Sequence, residues 1–141
     1  MNEFQTTTIQ LTGKVLEPYG FALGGAQALK ALGITQRDTQ DIDTFTSSFD
    51  PDLYAAAEKA VINILTIHGY ETDVTERDSF FRGIKVTDPV SREIIRFDLN
   101  PIDKPRKFIQ IPNIGPVLNV EDLLEHKIIA LVNRMQICSL S

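Results

Sequence analysis

The stretch that most constrains this chain is residues 21–45, FALGGAQALKALGITQRDTQDIDTF. Its pattern predicts a short buried strand over residues 21–23, the glycine pair Gly24-Gly25, a helix and then a second strand. Gly33 stands just past the helix, where a glycine commonly ends one. The N–H groups at the start of such a helix can bind an anion, and glycines let a phosphate approach the chain closely. The stretch therefore predicts a phosphate-binding turn.

The second strand of this stretch carries a pair of acids. Asp41 and Asp43 are two residues apart, so their side chains project from the same face of a strand, ~7 Å apart along the chain. Two carboxylates at ~4 Å repel by about 1 kcal/mol in water. A divalent cation turns this repulsion into coordination, and Mg²⁺ is usually held by one or two carboxylates plus substrate phosphates. The pair predicts a metal site; the alternative is two solvated aspartates after a capped helix.

The composition fits one globular domain. The chain has 141 residues, of which 43% are hydrophobic and 23% are charged. Its net charge of −5 argues against broad nucleic-acid binding as the main activity, though not against an RNA bound by a local patch. The single cysteine, Cys138, excludes an intramolecular disulfide and a cysteine-based metal site. Because the chain has neither a long apolar segment nor a secretion signal, we expect a cytoplasmic protein that does not bind membranes.

A later strand places an aspartate opposite an apolar face. Residues 79–86 and 92–99 predict an antiparallel hairpin. In the second strand the odd-numbered residues 95–99 are apolar and belong in a core, whereas Arg96 and Asp98 face the other way. A structural role for this aspartate would be to pair with Arg96, Arg82 or a neighbouring turn.

The central stretch resembles the signature of minimal nucleotidyltransferases of the DNA polymerase β superfamily. It is most similar to the AbiEii-like abortive-infection group, whose pattern is GG, a small helix and then R-x-[ST]-x-D-[IL]-D-x-F. The matching residues here are Gly24, Gly25, Arg37, Thr39, Asp41, Ile42, Asp43 and Phe45. Residues 120–131, VEDLLEHKIIAL, resemble a second pattern of the group, E-D-L-L-x-x-K-[IL]-x-A-L. The resemblance covers about residues 19–134.

The resemblance implies a nucleotidyltransferase fold of the α/β (α+β) class, a small mixed β-sheet with helices on one face. It implies that two Mg²⁺ ions and an NTP such as ATP bind at the acids, with a later strand's aspartate as general base. The implied metal-binding and catalytic acids are Asp41, Asp43 and Asp98. The implied nucleotide-binding residues are Gly24, Gly25, Arg37 and Thr39. Lys127 matches the group's active-site lysine; its alternative role is to extend its ammonium to the edge of an apolar helix stripe.

The implied function is transfer of an NMP from an NTP to a hydroxyl acceptor, which could be RNA such as tRNA, a protein or a small molecule. The group also implies a toxin–antitoxin or phage-defence role with a possible cognate partner protein. Members usually continue into a C-terminal helical extension. We expect residues 1–141 to form a single nucleotidyltransferase-like domain without it.

Two alternative functions are open. The first is a catalytically incomplete nucleotide- or partner-binding module of the same fold, favoured by the missing extension. The second is an aminoglycoside-type adenylyltransferase, whose GG and D-x-D arrangement is similar. A polycationic sugar would suit a chain with a net charge of −5.

Overall fold

The structure is a computed structural model that describes residues 2–33, 40–103 and 107–119. The helices of these residues are α1 (Glu3–Leu16), α2 (Gly25–Ala31) and α3 (Pro51–Ile67), with a 3-10 turn at Glu17–Tyr19. The strands are β1 (Ala22–Gly24), β2 (Asp41–Thr46), β3 (Glu71–Asp78), β4 (Phe81–Thr87), β5 (Ile94–Pro101), β6 (Phe108–Ile111) and β7 (Gly115–Leu118). None of the helices in these residues is long and apolar enough to span a membrane.

The described strands form one mixed sheet in the order β3-β4-β5-β2-β1-β7-β6. Strands β2 and β5 are parallel, as are β1 and β7, and the other neighbours are antiparallel. Helices α1 and α3 contact each other, and both contact the sheet. This architecture confirms the α/β (α+β) prediction. It also brings β2 and β5, which are far apart in sequence, side by side at the centre of the sheet.

Helix α3 follows directly from its sequence. Asp50 caps it, because its Oδ1 accepts a hydrogen bond from the Asp52 backbone N–H at 3.0 Å, and Pro51 occupies the first helical position. The buried side chains recur at the three- and four-residue spacing of one helix face. Those side chains are Tyr54, Ala57, Glu58, Val61 and Leu65. They face a core that includes Ile42 of β2, Ile84 of β4 and Phe97 of β5, all completely buried.

Helix α1 is not evident from its sequence, because a run of threonines and a glycine weaken its helical pattern. It forms because Asn2 and Gln5 make a capping box. The Thr8 and Thr12 hydroxyl groups donate to backbone carbonyls four residues earlier, at 2.8 and 2.7 Å, and so can be buried. Gly13 lies so close to the Ile114 carbonyl that any larger side chain would collide with it. Tertiary packing therefore stabilises α1.

A charged residue is buried between α3 and the sheet. Glu58 of α3 receives two hydrogen bonds from Arg77 of β3, at 3.1 and 3.2 Å, and its Oε1 lies 3.5 Å from the Arg82 Nε of β4. The Arg77 side chain is 61% exposed, whereas that of Arg82 is only 7% exposed. Arg82 is paired in register with Leu99, and the next pair, Gly83 and Asp98, faces the opposite side of the sheet. The buried ion pair and the acidic face are thus separated by the sheet.

Candidate active site on strands β2 and β5

The parallel pairing of β2 with β5 brings the predicted acids together. Asp43 lies opposite Asp98, and Asp41 lies opposite Arg96. Paired residues of neighbouring strands share a face, and so do residues two apart in one strand. All four side chains therefore project from one face of the sheet. Two hydrogen bonds from side chains reinforce the pairing of β2 with β5. The Thr44 hydroxyl donates to the Asp98 carbonyl at 2.9 Å, and the Asn100 amide donates to the Thr44 carbonyl at 3.2 Å.

Asp43 has an unusual proton affinity for a carboxylic acid. Its pKa is raised from 3.8 to about 6, first because burial disfavours its charge, then because Asp98 and Asp41 repel it. A hydrogen bond between the Asp43 and Asp98 side chains raises the Asp43 pKa further, since the proton lies on Asp43. The positive charge of Arg96 lowers the Asp43 pKa, but by less than the other effects raise it. A bound cation would relieve the repulsion of Asp43 by Asp98 and Asp41.

Asp98 is the most buried of the three acids, with 7% of its surface exposed. Burial raises its pKa, and the Arg96 guanidinium opposes that rise. The Arg96 Nε lies 3.3 Å from one carboxylate oxygen of Asp98 and 3.2 Å from the other. The Asp98 carboxylate therefore interacts both with Arg96 and with the two acids of β2.

The glycine pair adjoins Asp43. Gly24 pairs with Asp43 across β1 and β2, and a side chain at Gly24 would collide with the Phe45 ring. Gly25 begins α2 with φ +60°, in the left-handed region that favours glycine. A Cβ atom at Gly25 would lie 2.7 Å from the Asp43 Oδ2. The turn can therefore contact the acid only because it has no side chains.

We expect Gly25→Ala to be destabilising and to disturb Asp43. The left-handed conformation costs roughly 1–2 kcal/mol for a residue with a Cβ atom, and the new methyl group displaces the Asp43 carboxylate. Thermal unfolding and the affinity for Mn²⁺ would measure the two effects. Gly33→Ala is the matched control, because Gly33 also has a positive φ of 77° but none of the described residues lies within 4 Å of its Cβ position. Equal loss of Mn²⁺ affinity in both variants would contradict this account.

The donor set suits a hard cation, although no bound ion defines its geometry. Within residues 2–33, 40–103 and 107–119, no three acidic, histidine or cysteine side chains are arranged so that they could hold a metal ion. Carboxylate oxygens are nevertheless the ligands that Mg²⁺ prefers. Asp43 and Asp98 already contact each other, and Asp41 is exposed on the same face. Burial is the first cause of the raised Asp43 pKa, and repulsion by Asp98 and Asp41 adds to it.

The structure thus brings together five of the eight predicted site residues, namely Gly24, Gly25, Asp41, Asp43 and Asp98. The predicted residues Arg37, Thr39 and Lys127 lie outside the described part of the chain. Sequence reasoning did not give Arg96 a role in the site beyond a possible ion pair. Its signal was present, because a residue two positions before Asp98 in a strand must share its face.

The comparisons with known proteins agree with this geometry. Residues 11–137 match the model of the nucleotidyl transferase AbiEii toxin family of type IV toxin–antitoxin systems. The chain belongs to this family. The family match covers the strands that carry all three acids and extends through Lys127. No curated protein matches the AbiEii-family chain in sequence.

Solved structures show the same fold. A crystal structure from H. pylori assigned as a nucleotidyltransferase aligns with a TM-score of 0.61 and 16% identity, over 90% of this chain and 59% of that one. The protein JHP933 from Helicobacter pylori aligns with a TM-score of 0.58 and 15% identity, over 89% of this chain and 54% of that one. The antibiotic-resistance factor ANT(2'')-Ia aligns more distantly, with a TM-score of 0.47, 18% identity and coverages of 85% and 55%. The chain therefore spans a little over half the length of the two H. pylori structures.

Proposed function

We propose that this AbiEii-family protein transfers an NMP from an NTP to a hydroxyl acceptor in a reaction that requires Mg²⁺. The observation that carries the proposal is the register of β2 with β5, which sets Asp43 opposite Asp98 on the face that also holds Asp41. Three carboxylates on one face, beside a turn built of glycines, suit a triphosphate that arrives with divalent cations. Membership of the AbiEii family supports the same chemistry.

Each acid has a role in the proposed reaction. When bound, the Mg²⁺ ions would lower the pKa of the acceptor hydroxyl and stabilise charge on the leaving pyrophosphate. Asp41 and Asp43 hold the cations and the triphosphate in place. Asp98 accepts the proton of the acceptor hydroxyl while that oxygen bonds to the α-phosphorus and the bond to pyrophosphate breaks. Burial raises the Asp98 pKa, which makes its carboxylate a stronger proton acceptor than an exposed aspartate. We propose that Arg37 and Lys127 bind the phosphates.

Pyrophosphate release tests the proposal. Purified protein is incubated with each NTP and Mg²⁺, in turn with tRNA, a protein mixture and an aminoglycoside as acceptor. We expect pyrophosphate release that depends on Mg²⁺ and on one class of acceptor, together with labelled NMP in that acceptor. NTP binding without pyrophosphate release for any acceptor would favour a binding module over an enzyme. Labelling of the aminoglycoside alone would assign the antibiotic-modifying reaction instead.

Growth inhibition tests the cellular role. The family description supports a toxin whose effect is countered by an antitoxin partner. We expect induced expression of the chain to slow growth of a bacterial host, and Asp43→Asn to remove the effect at equal protein level. Equal growth inhibition by the wild-type chain and the variant would contradict toxicity through nucleotidyl transfer.

A further inference from the structure

The guanidinium of Arg96 contacts acids on two different strands. Its Nε contacts both carboxylate oxygens of Asp98 on β5, and its Nη2 lies 3.8 Å from Oε1 of Glu76 on β3. Strand β4 separates these two acids in the sheet. The Arg96 side chain is 57% exposed and that of Glu76 is 55% exposed, whereas the Asp98 side chain is only 10% exposed. The arginine thus links the buried acid to a solvated one.

Gly83 lies between the two acids that Arg96 contacts. It is paired with Glu76 on one side and with Asp98 on the other, so the three residues form one row across β3, β4 and β5. A Cβ atom at Gly83 would lie 3.1 Å from the Thr75 Oγ1, 3.4 Å from the Glu76 Cβ and 3.5 Å from the Asp98 Oδ1. A side chain at Gly83 would therefore contact both acids.

A divalent cation and Arg96 must compete for Asp98. The carboxylate has two oxygens, and the arginine contacts both of them. The described acids do not form a metal-binding group as they stand, although Asp98 already contacts Asp43. A cation shared by Asp98 with Asp41 and Asp43 would withdraw carboxylate charge from Arg96 and so weaken that ion pair. An ion pair with a largely exposed arginine is weak, and an exposed arginine changes rotamer rapidly. Glu76 lies close enough to pair with the released guanidinium.

We propose that Arg96 is the counter-ion of the acidic site. Its guanidinium holds Asp98 in the absence of a divalent cation and transfers to Glu76 when the cation binds. The inference rests on the proposed Mg²⁺-dependent transfer and adds a positioning residue to it. Arg96 limits the repulsion of Asp98 from Asp43 in the metal-free protein. It also sets the cation affinity, because every binding event must displace it.

Mn²⁺ titration of Arg96→Gln tests the inference without measuring activity. With the competitor removed, we expect the Kd for Mn²⁺, measured by calorimetry on the whole chain, to fall about three- to tenfold. We also expect a lower melting temperature in EDTA, because Asp98 has lost its partner. The matched control is Lys85→Met. Lys85 is exposed and lies opposite Arg96 in register on β4, so the variant removes one positive charge from the same face. Its Kd should change less than about twofold.

A second pair of variants tests the part played by Glu76. Glu76→Gln removes the partner that receives the released guanidinium, so we expect weaker Mn²⁺ binding. Asp73→Asn on the same strand removes a comparable charge from a residue that is separated from Arg96 by Lys85, since Lys85 pairs with both. Its effect on the Kd should be smaller.

Three results would overturn the inference: an unchanged or higher Kd for Arg96→Gln, an equal fall for Lys85→Met, or no saturable Mn²⁺ binding by the wild-type chain. Pyrophosphate release by the wild-type chain is measured separately. Tighter Mn²⁺ binding by Arg96→Gln without any turnover in the wild type would leave the role of Arg96 standing and remove the transferase assignment. Turnover in the wild type with an unchanged Kd in Arg96→Gln would support the transferase assignment and overturn the role of Arg96.

Discussion

Replacing Asp43 with asparagine should abolish nucleotidyl transfer and at the same time stabilise the metal-free protein. Loss of a metal-binding carboxylate removes several kcal/mol of charge stabilisation, which corresponds to a rate at least about 1,000-fold lower. The fold should tolerate the change, because the asparagine amide can donate to Asp98 as the protonated Asp43 carboxyl does. Pyrophosphate release and thermal unfolding of the same preparation measure both effects. Unfolded or weakly folded Asp43→Asn would make Asp43 a structural residue.

The stabilisation by Asp43→Asn should depend on pH with a defined sign. The Asp43 pKa is 3.8 in a model peptide and about 6 in the folded protein, so the folded state holds the proton more tightly. The stability that this proton contributes is present below about pH 4 and is lost as the pH rises through about 6. We therefore expect the variant's advantage in metal-free buffer to grow over this range to about 1–3 kcal/mol. Mg²⁺ should reduce it, since the cation binds the folded wild type.

The opposite sign would contradict this account of Asp43. If the wild type gained stability relative to Asp43→Asn between about pH 4 and pH 7, the carboxylate would be favoured as an anion, and an attractive partner would outweigh the effects of burial and of the other two acids. Asp52→Asn is a suitable control, because Asp52 is exposed in the first turn of α3 and does not belong to the strands that carry the three acids.

Glu58→Ala should cause the largest loss of stability, roughly 3–5 kcal/mol. The substitution leaves the buried Arg82 guanidinium without its counter-ion between α3 and the sheet. Arg77→Ala removes a largely exposed partner of the same glutamate and should cost at most about 1 kcal/mol. Chemical denaturation of both variants measures the difference.

A double variant separates the ion pair from simple loss of packing. Glu58→Leu combined with Arg82→Met replaces both charges by apolar groups, which is commonly near neutral for a buried pair. We therefore expect the double variant to recover most of the stability lost in Glu58→Ala. A double variant as unstable as the single one would show that the Glu58 side chain contributes through contacts other than its charge. The Glu58–Arg82 pair and the acidic face lie on opposite sides of the sheet. The Mn²⁺ affinity of the folded double variant should therefore equal that of the wild type.

Local sequence patterns were enough to place most of the fold and part of the site. The cap at Asp50 and the apolar period of α3 are short-range signals, and the alternation in β5 assigned Asp98 to the face opposite the core. The resemblance supplied the expectation that this aspartate joins Asp41 and Asp43, and the register of β2 with β5 places it opposite Asp43. That register depends on a parallel pairing across more than fifty residues, which no local pattern specifies.

Other features depend on tertiary contacts and were not predictable. Helix α1 is stabilised by its contacts with α3 and by hydroxyl groups that bond to its own carbonyls. Strand β7 follows a proline-rich connector and lies beside β1, far from it in sequence. The contact of Arg96 with Glu76 reaches across β4 and joins its two neighbouring strands. Such juxtapositions arise only when the sheet has formed.

The most direct measurement of the central claim is an anomalous difference map from a crystal that contains Mn²⁺ and a non-hydrolysable NTP. The account predicts Mn²⁺ density on the open face of β2 and β5, with carboxylate oxygens of Asp41, Asp43 and Asp98 about 2.1 Å away and the triphosphate beside Gly25. It also predicts that Asp98 is no longer paired with Arg96. Nucleotide and Mn²⁺ bound elsewhere, or Asp98 still held by Arg96 beside a metal that it does not coordinate, would contradict the account.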